Sequence, residues 1–191
     1  LQKVRDQGLT ISAHGVNKFT ADSEANRKVF SFTKQAGIKT LTADPSADSF
    51  DTLEELVQEF DIRVAIHNHG PGHRYSKVLD VLQAIKNRDQ RIGACADLGH
   101  YIRSAERPVE VIRLLKGRLY GIHLKDVAEM QKKTEGVILG QGHLDVPAVF
   151  AALDQVGFPE DGALSLEYEK NLDSPLNDIR QCVAIARNAM A

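Results

Sequence analysis

Four polar residues recur at the same level of four successive apolar runs. His67 ends R-V-A-I-H, Asp97 ends I-G-A-C-A-D, His123 lies in L-Y-G-I-H-L, and Glu167 follows A-L-S-L. Each has an ordinary explanation when taken singly. A histidine at a strand end is commonly a hydrogen-bonded core or surface residue, and an aspartate after a strand commonly caps the next helix. As a set, two imidazoles and two carboxylates make a ligand shell for one divalent ion (Mn²⁺, Zn²⁺, Co²⁺, Mg²⁺ or Fe²⁺), with room left for substrate oxygens. For that the four must converge, so the elements carrying them must place their ends at one point.

Those elements alternate strictly. Strands are expected at Leu9–His14, Lys39–Ala43, Arg63–His67, around 92–97, around 119–124, and at Ala163–Glu167. Helices are expected over 23–36, Thr52–Phe60, Ser76–Lys86, the roughly 20 residues between strands four and five, 146–156 and Leu176–Met190. Asp22, Gly37, Pro108 and Asp145 supply the caps and stops. Side chains alternate along a strand. Gly93, Cys95 and Asp97 therefore share one face, as do Leu119, Gly121 and His123, while Ile92, Ala94, Tyr120, Ile122 and Leu124 pack under helices. A longer excursion, Val127–Leu144, follows the fifth strand and reads as an active-site loop.

Strict βα alternation with polar strand ends suits an open doubly wound sheet or a (β/α)₈ barrel. No strand runs through G-x-G-x-x-G into a helix, which argues against a dinucleotide-binding sheet. The α/β (β/α)₈ TIM barrel is favoured, as a single domain over 1–191 with about six βα units and the first two lacking. The opening L-Q-K-V-R-D-Q-G reads as the last turns of a helix closed by Gly8, from a longer chain.

The 191 residues carry a formal net charge of −2, so no positive excess invites nucleic acid or an anionic membrane. No apolar run approaches the ~20 residues of a membrane span. The two cysteines, Cys95 and Cys182, read as buried free thiols in a reducing compartment, and a cytoplasmic location is expected with a leader upstream of Leu1 left open. Of seven histidines, six (His14, His67, His69, His73, His100 and His123) fall at or just past expected strand ends, and His143 lies in a loop.

Taken in order, A-I-H-N-H-G, D-L-G-H, I-H-L-K-D, L-G-Q-G-H-L-D and L-S-L-E-Y resemble the xylose isomerase-like TIM barrels. That sugar isomerase/epimerase group also includes endonuclease IV-type enzymes. The resemblance runs from about Leu9 to the end. In its epimerase members the metal is held by Glu, Asp, His and Glu, and the two glutamates remove and return a proton. Carried over, Asp97, His123 and Glu167 match in type, and His67 stands where the first glutamate is usual. The resemblance implies a substrate contact from His100 and a pocket shaped by Lys125 and Asp126. From the residues themselves, Glu167 is the expected catalytic base, and His67 is either a ligand alone or its catalytic counterpart. His69 is a further substrate-side or acid candidate, and His14 is pocket lining. Gln141 stands where relatives commonly carry glutamate.

A divalent ion at such a site lowers the cost of charge developing on a carbonyl oxygen, and a base in reach then removes the neighbouring proton. The leading expectation is a metal-dependent isomerase or epimerase of a sugar or sugar derivative, with homo-oligomerisation left open. The alternative is a dehydratase or lyase on a keto-inositol or keto-sugar using the same first step. An endonuclease IV-like repair enzyme and a non-catalytic sugar-binding barrel rank lower. The first of these lacks a basic face and enough ligands, and the second is suggested only by the incomplete pair of glutamates.

Overall fold

Asp22 accepts a 3.0 Å hydrogen bond from the Ala25 amide and starts helix α2 (Ser23–Ala36), which Gly37 closes in the left-handed conformation. The same logic sets α7 (Val146–Val156), with Asp145 accepting from Ala148 and Gly157 past its end. The computed structural model describes residues 1–190. After a short helix α1 (Gln2–Asp6), strands β1 (His14–Asn17), β2 (Thr40–Ala43), β3 (Arg63–His67), β4 (Ile92–Asp97), β5 (Leu119–Leu124) and β8 (Ala163–Leu166) form one parallel sheet in that order. The connecting helices are α2, α3 (Phe50–Phe60), α4 (Val78–Ile85), α5 (Leu98–Arg103), α6 (Pro108–Leu114) and α7, and α8 (Leu176–Met190) follows β8.

The sheet curls as a partial TIM barrel does. At its N-terminal rim Asp161, just before β8, pairs with Arg63 of β3 at 2.9 Å, past two intervening strands, and with Lys39 beside β2 at 3.3 Å, past three. One core, including Phe30, Leu53, Val64, Ile66, Ile92, Ala94, Ile122 and Val149, fills the layer between the sheet and its helices. None of the described helices is long and apolar enough to cross a membrane. Both cysteines are free and buried.

Three expectations are corrected. Residues 9–13 form no strand. β2 offers β1 only the stretch from Leu41 to Ala43, opposite His14 and Asn17, and an alternating pattern without a partner backbone does not pair. The stretch between β4 and β5 is two helices, because Pro108 opens α6 and holds Arg107 in an extended conformation. Tyr120 faces inward. A bulge opens between Ala94↔Leu119 and Cys95↔Gly121, so Tyr120 turns to join Ala65 and Cys95, with Arg63 over its ring at 5.2 Å. Gly93 makes that turn feasible, since a Cβ there would lie 2.5 Å from the ring.

Candidate metal centre

Parallel register sets the level of the donors. His67 pairs across to Cys95, Asp97 to His123, and His123 to Ser165, two residues short of Glu167. Glu167 lies just past β8, its amide still bonded to the Leu124 carbonyl at 3.0 Å. One donor atom from each of His67, Asp97, His123 and Glu167 lies within 4.8 Å of the others. His67 Nε2 is 3.1 Å from His123 Nδ1, 3.9 Å from Asp97 Oδ2 and 4.0 Å from Glu167 Oε2, and His123 Nδ1 donates to that same glutamate oxygen.

Asp97 is fully buried. Its Oδ1 caps α5 through the His100 amide at 2.7 Å, whereas Oδ2 has no hydrogen-bond partner. A buried carboxylate oxygen without a partner is costly unless a cation meets it. The donor chemistry, the convergence and this orphaned oxygen together fit a divalent ion. Asn68, buried and next to His67, clamps Asp97 from behind: its Oδ1 accepts from the Asp97 amide at 2.7 Å and its Nδ2 donates to the Asp97 carbonyl at 3.0 Å.

Burial dominates the electrostatics. It drives the His67 ring down to about 3, with the His123 charge acting in the same direction, so His67 offers a lone pair at neutral pH. It drives the Asp97 carboxyl up to about 7 against the Lys125 ammonium. Burial also opposes charge on His123 and Glu167, but it loses there. The Cys95 sulfur and the Glu167 carboxylate raise His123 to about 10, and hydrogen bonds from His123 and Lys125 hold Glu167 well below the carboxylate range.

A wall of imidazoles adjoins the four. The His69 ring stands 4.8 Å from His67 and 4.3 Å from His73, and His100 stands 6.2 Å from His67 with its Nε2 3.9 Å from Asp97 Oδ2. Burial lowers His69, and it lowers His100 to about 3 with the Lys125 charge helping. His73 is anchored on Asp44 at 3.3 Å. Lys125 is buried and donates to Glu167 Oε1 at 2.7 Å. Asp126 gives its whole carboxylate to the backbone: Oδ1 accepts from Val127 and Leu144, and Oδ2 from Gly140 and Gly142, all at 2.8–3.0 Å. It thus ties the excursion loop, with its small hairpin of β6 (Asp126–Val127) and β7 (Gly136–Val137), to the end of β5. His14 starts β1 rather than ending it and packs on Phe32 of α2 at 5.4 Å, so it is not among the residues brought together. Two residues here were not singled out from sequence, Asn68 and Glu169. Asn68 stood between two marked histidines; the only hint of Glu169 was its place two residues past Glu167, on the same side of an extended chain.

A family model described as xylose isomerase-like TIM barrel matches residues 1–185. An inosose dehydratase of Lacticaseibacillus casei is 25% identical over 141 residues, covering 65% of this chain and 46% of that protein, so the chain spans about half the length of the curated relatives it matches. Among solved structures, an uncharacterized protein of Parabacteroides distasonis superposes with a TM-score of 0.73 at 31% identity, covering 98% of this chain and 73% of the other. The 3-keto-D-glucoside 4-epimerase YcjR of E. coli superposes with a TM-score of 0.77 at 15% identity, covering 98% and 82%, a likeness of fold.

Proposed function

Because this chain belongs to the xylose isomerase-like TIM-barrel family, we propose that it carries the centre of a divalent-metal-dependent enzyme acting on a carbonyl-bearing sugar or polyol. The first step is removal of the proton next to the carbonyl. The observation that supports this most is the buried Asp97 Oδ2, unpartnered at the focus of three further donors. His67, Asp97, His123 and Glu167 hold the ion, which supplies stabilisation of negative charge on the substrate's carbonyl oxygen.

The chain's own groups do the rest. Glu167 takes the proton, being the carboxylate of the four with partial exposure to the substrate side. His67 is a ligand with a neutral ring and the counterpart of Glu167 across the centre, where the epimerases use a second glutamate. His69 and His100, also neutral, offer one donor and one acceptor each to substrate hydroxyls. Asp126 acts on the loop behind the pocket.

Once that proton has been removed, isomerisation or epimerisation is the favoured outcome. Dehydration of a keto-polyol is the second, favoured by the curated match to an inosose dehydratase and by a centre with one carboxylate base rather than two. Metal-loaded protein incubated with simple ketoses and inososes in D₂O separates them. Deuterium next to the carbonyl with the carbon skeleton's hydroxyls intact supports the first. Loss of water, with the ultraviolet absorption of an unsaturated or diketo product, supports the second. Neither exchange nor conversion across both substrate classes would refute the proposal.

A further inference from the structure

Glu167 does not meet the centre with both oxygens. Its Oε2 faces His123 and His67, while Oε1 accepts the 2.7 Å hydrogen bond from Lys125 Nζ. That ammonium also stands 3.9 Å from Asp97 Oδ2 and pairs at 2.5 Å with Glu169 Oε2, whose side chain is 56% exposed at the rim. The fold makes room for this lysine. A Cβ on Gly99 would sit 2.6 Å from Lys125 Cγ and 3.0 Å from its Cδ. A buried cation is therefore brought against two of the four donors of a cation centre, where like charge opposes the ion.

We propose that Lys125 is a positioning residue that sets how the ion is held. Braced by Glu169, it keeps Glu167 Oε1 out of the coordination shell, so Glu167 binds through a single oxygen and a position stays open for substrate. The inference rests on the metal-centre reading above. Its cost is a weaker grip on the ion than the four donors alone would exert, and its gain is an open catalytic shell in place of a closed structural one.

Cobalt(II) is the probe, with affinity read by chelator competition and coordination read from the intensity of the visible absorption, which falls as the coordination number rises. Lys125→Met in the full chain is expected to tighten cobalt about tenfold or more, because a unit charge beside a divalent ion is removed. Its visible bands should weaken as Glu167 closes with its second oxygen. Lys125→Gln, which keeps a hydrogen bond without the charge, should tighten cobalt with the bands unchanged, and it decides the matter if the methionine variant does not fold. Lys125→Arg should restore parental affinity and spectrum. Glu169→Gln should weaken cobalt a few-fold, the opposite sign, because an exposed carboxylate is lost. A lysine needed only for packing would weaken cobalt in the methionine and glutamine variants alike, and that result overturns the inference. If the parent chain takes up no stoichiometric cobalt, the metal reading itself falls and this inference with it. If the parent takes up one cobalt and the Lys125 variants bind it no tighter, only the inference falls.

Discussion

Asp126 offers the sharpest test of how the loop beside the centre is held. Its two oxygens accept four backbone N–H groups, three of them from residues 14 to 18 positions away. The side chain is buried, and Gly142 approaches so closely that a Cβ there would lie 2.6 Å from Asp126 Oδ1. Hydrogen bonds to a charged acceptor contribute about 1.5–3 kcal/mol each, and donors left buried without a partner cost about 1–3 kcal/mol. Water reaching the loosened loop offsets part of that, so Asp126→Ala is expected to cost about 3–5 kcal/mol. Asp126→Asn should cost nearly as much, because its NH₂ would face a pair of N–H donors in either orientation. Against a typical domain stability of about 5–15 kcal/mol this is a large fraction. With a urea slope of about 2 kcal/mol per molar, the unfolding midpoint should fall by roughly 2 M. Trypsin should also cut faster at Lys132 and Lys133, which are exposed in the same loop. An asparagine variant within about 0.5 kcal/mol of the parent, with unchanged proteolysis, would refute the reasoning.

Further outcomes concern the centre and the strands that carry it. Asp97→Ala and His123→Ala should each lose stoichiometric divalent metal on dialysis, and retention by both, measured by elemental analysis, would sink the ligand assignment. Glu167→Gln is expected to slow turnover on the order of 10²–10⁴-fold, the usual share of a positioned acid–base group, with steady-state kinetics as the check. The metal-free protein should be most stable near pH 6.5. Below that, His67 and His100, held down to about 3, and His69, also lowered by burial, make unfolding take up more protons than the one that Asp97, raised to about 7, holds in the folded state. Stability then falls with falling pH by roughly 1.4 kcal/mol per unit or more between pH 6.5 and 4.5. Above pH 6.5, stability tied to His123, raised to about 10, is lost as pH climbs toward that value. Denaturant midpoints measured in chelator across pH 4.5–9 test this, and a flat profile would count against it. Gly93→Ala should destabilise by a few kcal/mol, since its Cβ would fall 2.2 Å from the Arg118 carbonyl oxygen as well as against Tyr120; thermal melts measure it.

Much of the fold could be read along the chain, because period, caps and breakers act over a few residues. The bounds of α2 and α8, the strands at 63–67, 92–97 and 119–124, and the caps at Asp22 and Asp145 are set by neighbours in sequence. The same period put His67, Asp97, His123 and Glu167 at or just past the ends of four strands, and the register and curl of the parallel sheet bring their donor atoms together. What depends on contacts between distant segments was not legible. Tyr120 turned inward because a bulge between β4 and β5 reversed its face, and a bulge leaves no trace in alternation. His14 fell at the start of its strand because β2, 26 residues later, decided where pairing could begin. Asn68 behind Asp97, Gly140 through Leu144 around Asp126, and Glu169 on Lys125 each pair a polar group with a partner chosen by the path of the backbone in space. Residue types along the chain determined which side chains could bind a cation. Only the tertiary structure decided which carboxylate oxygen remained without a partner and which was already occupied by a lysine, because burial and pairing are properties of the packed whole.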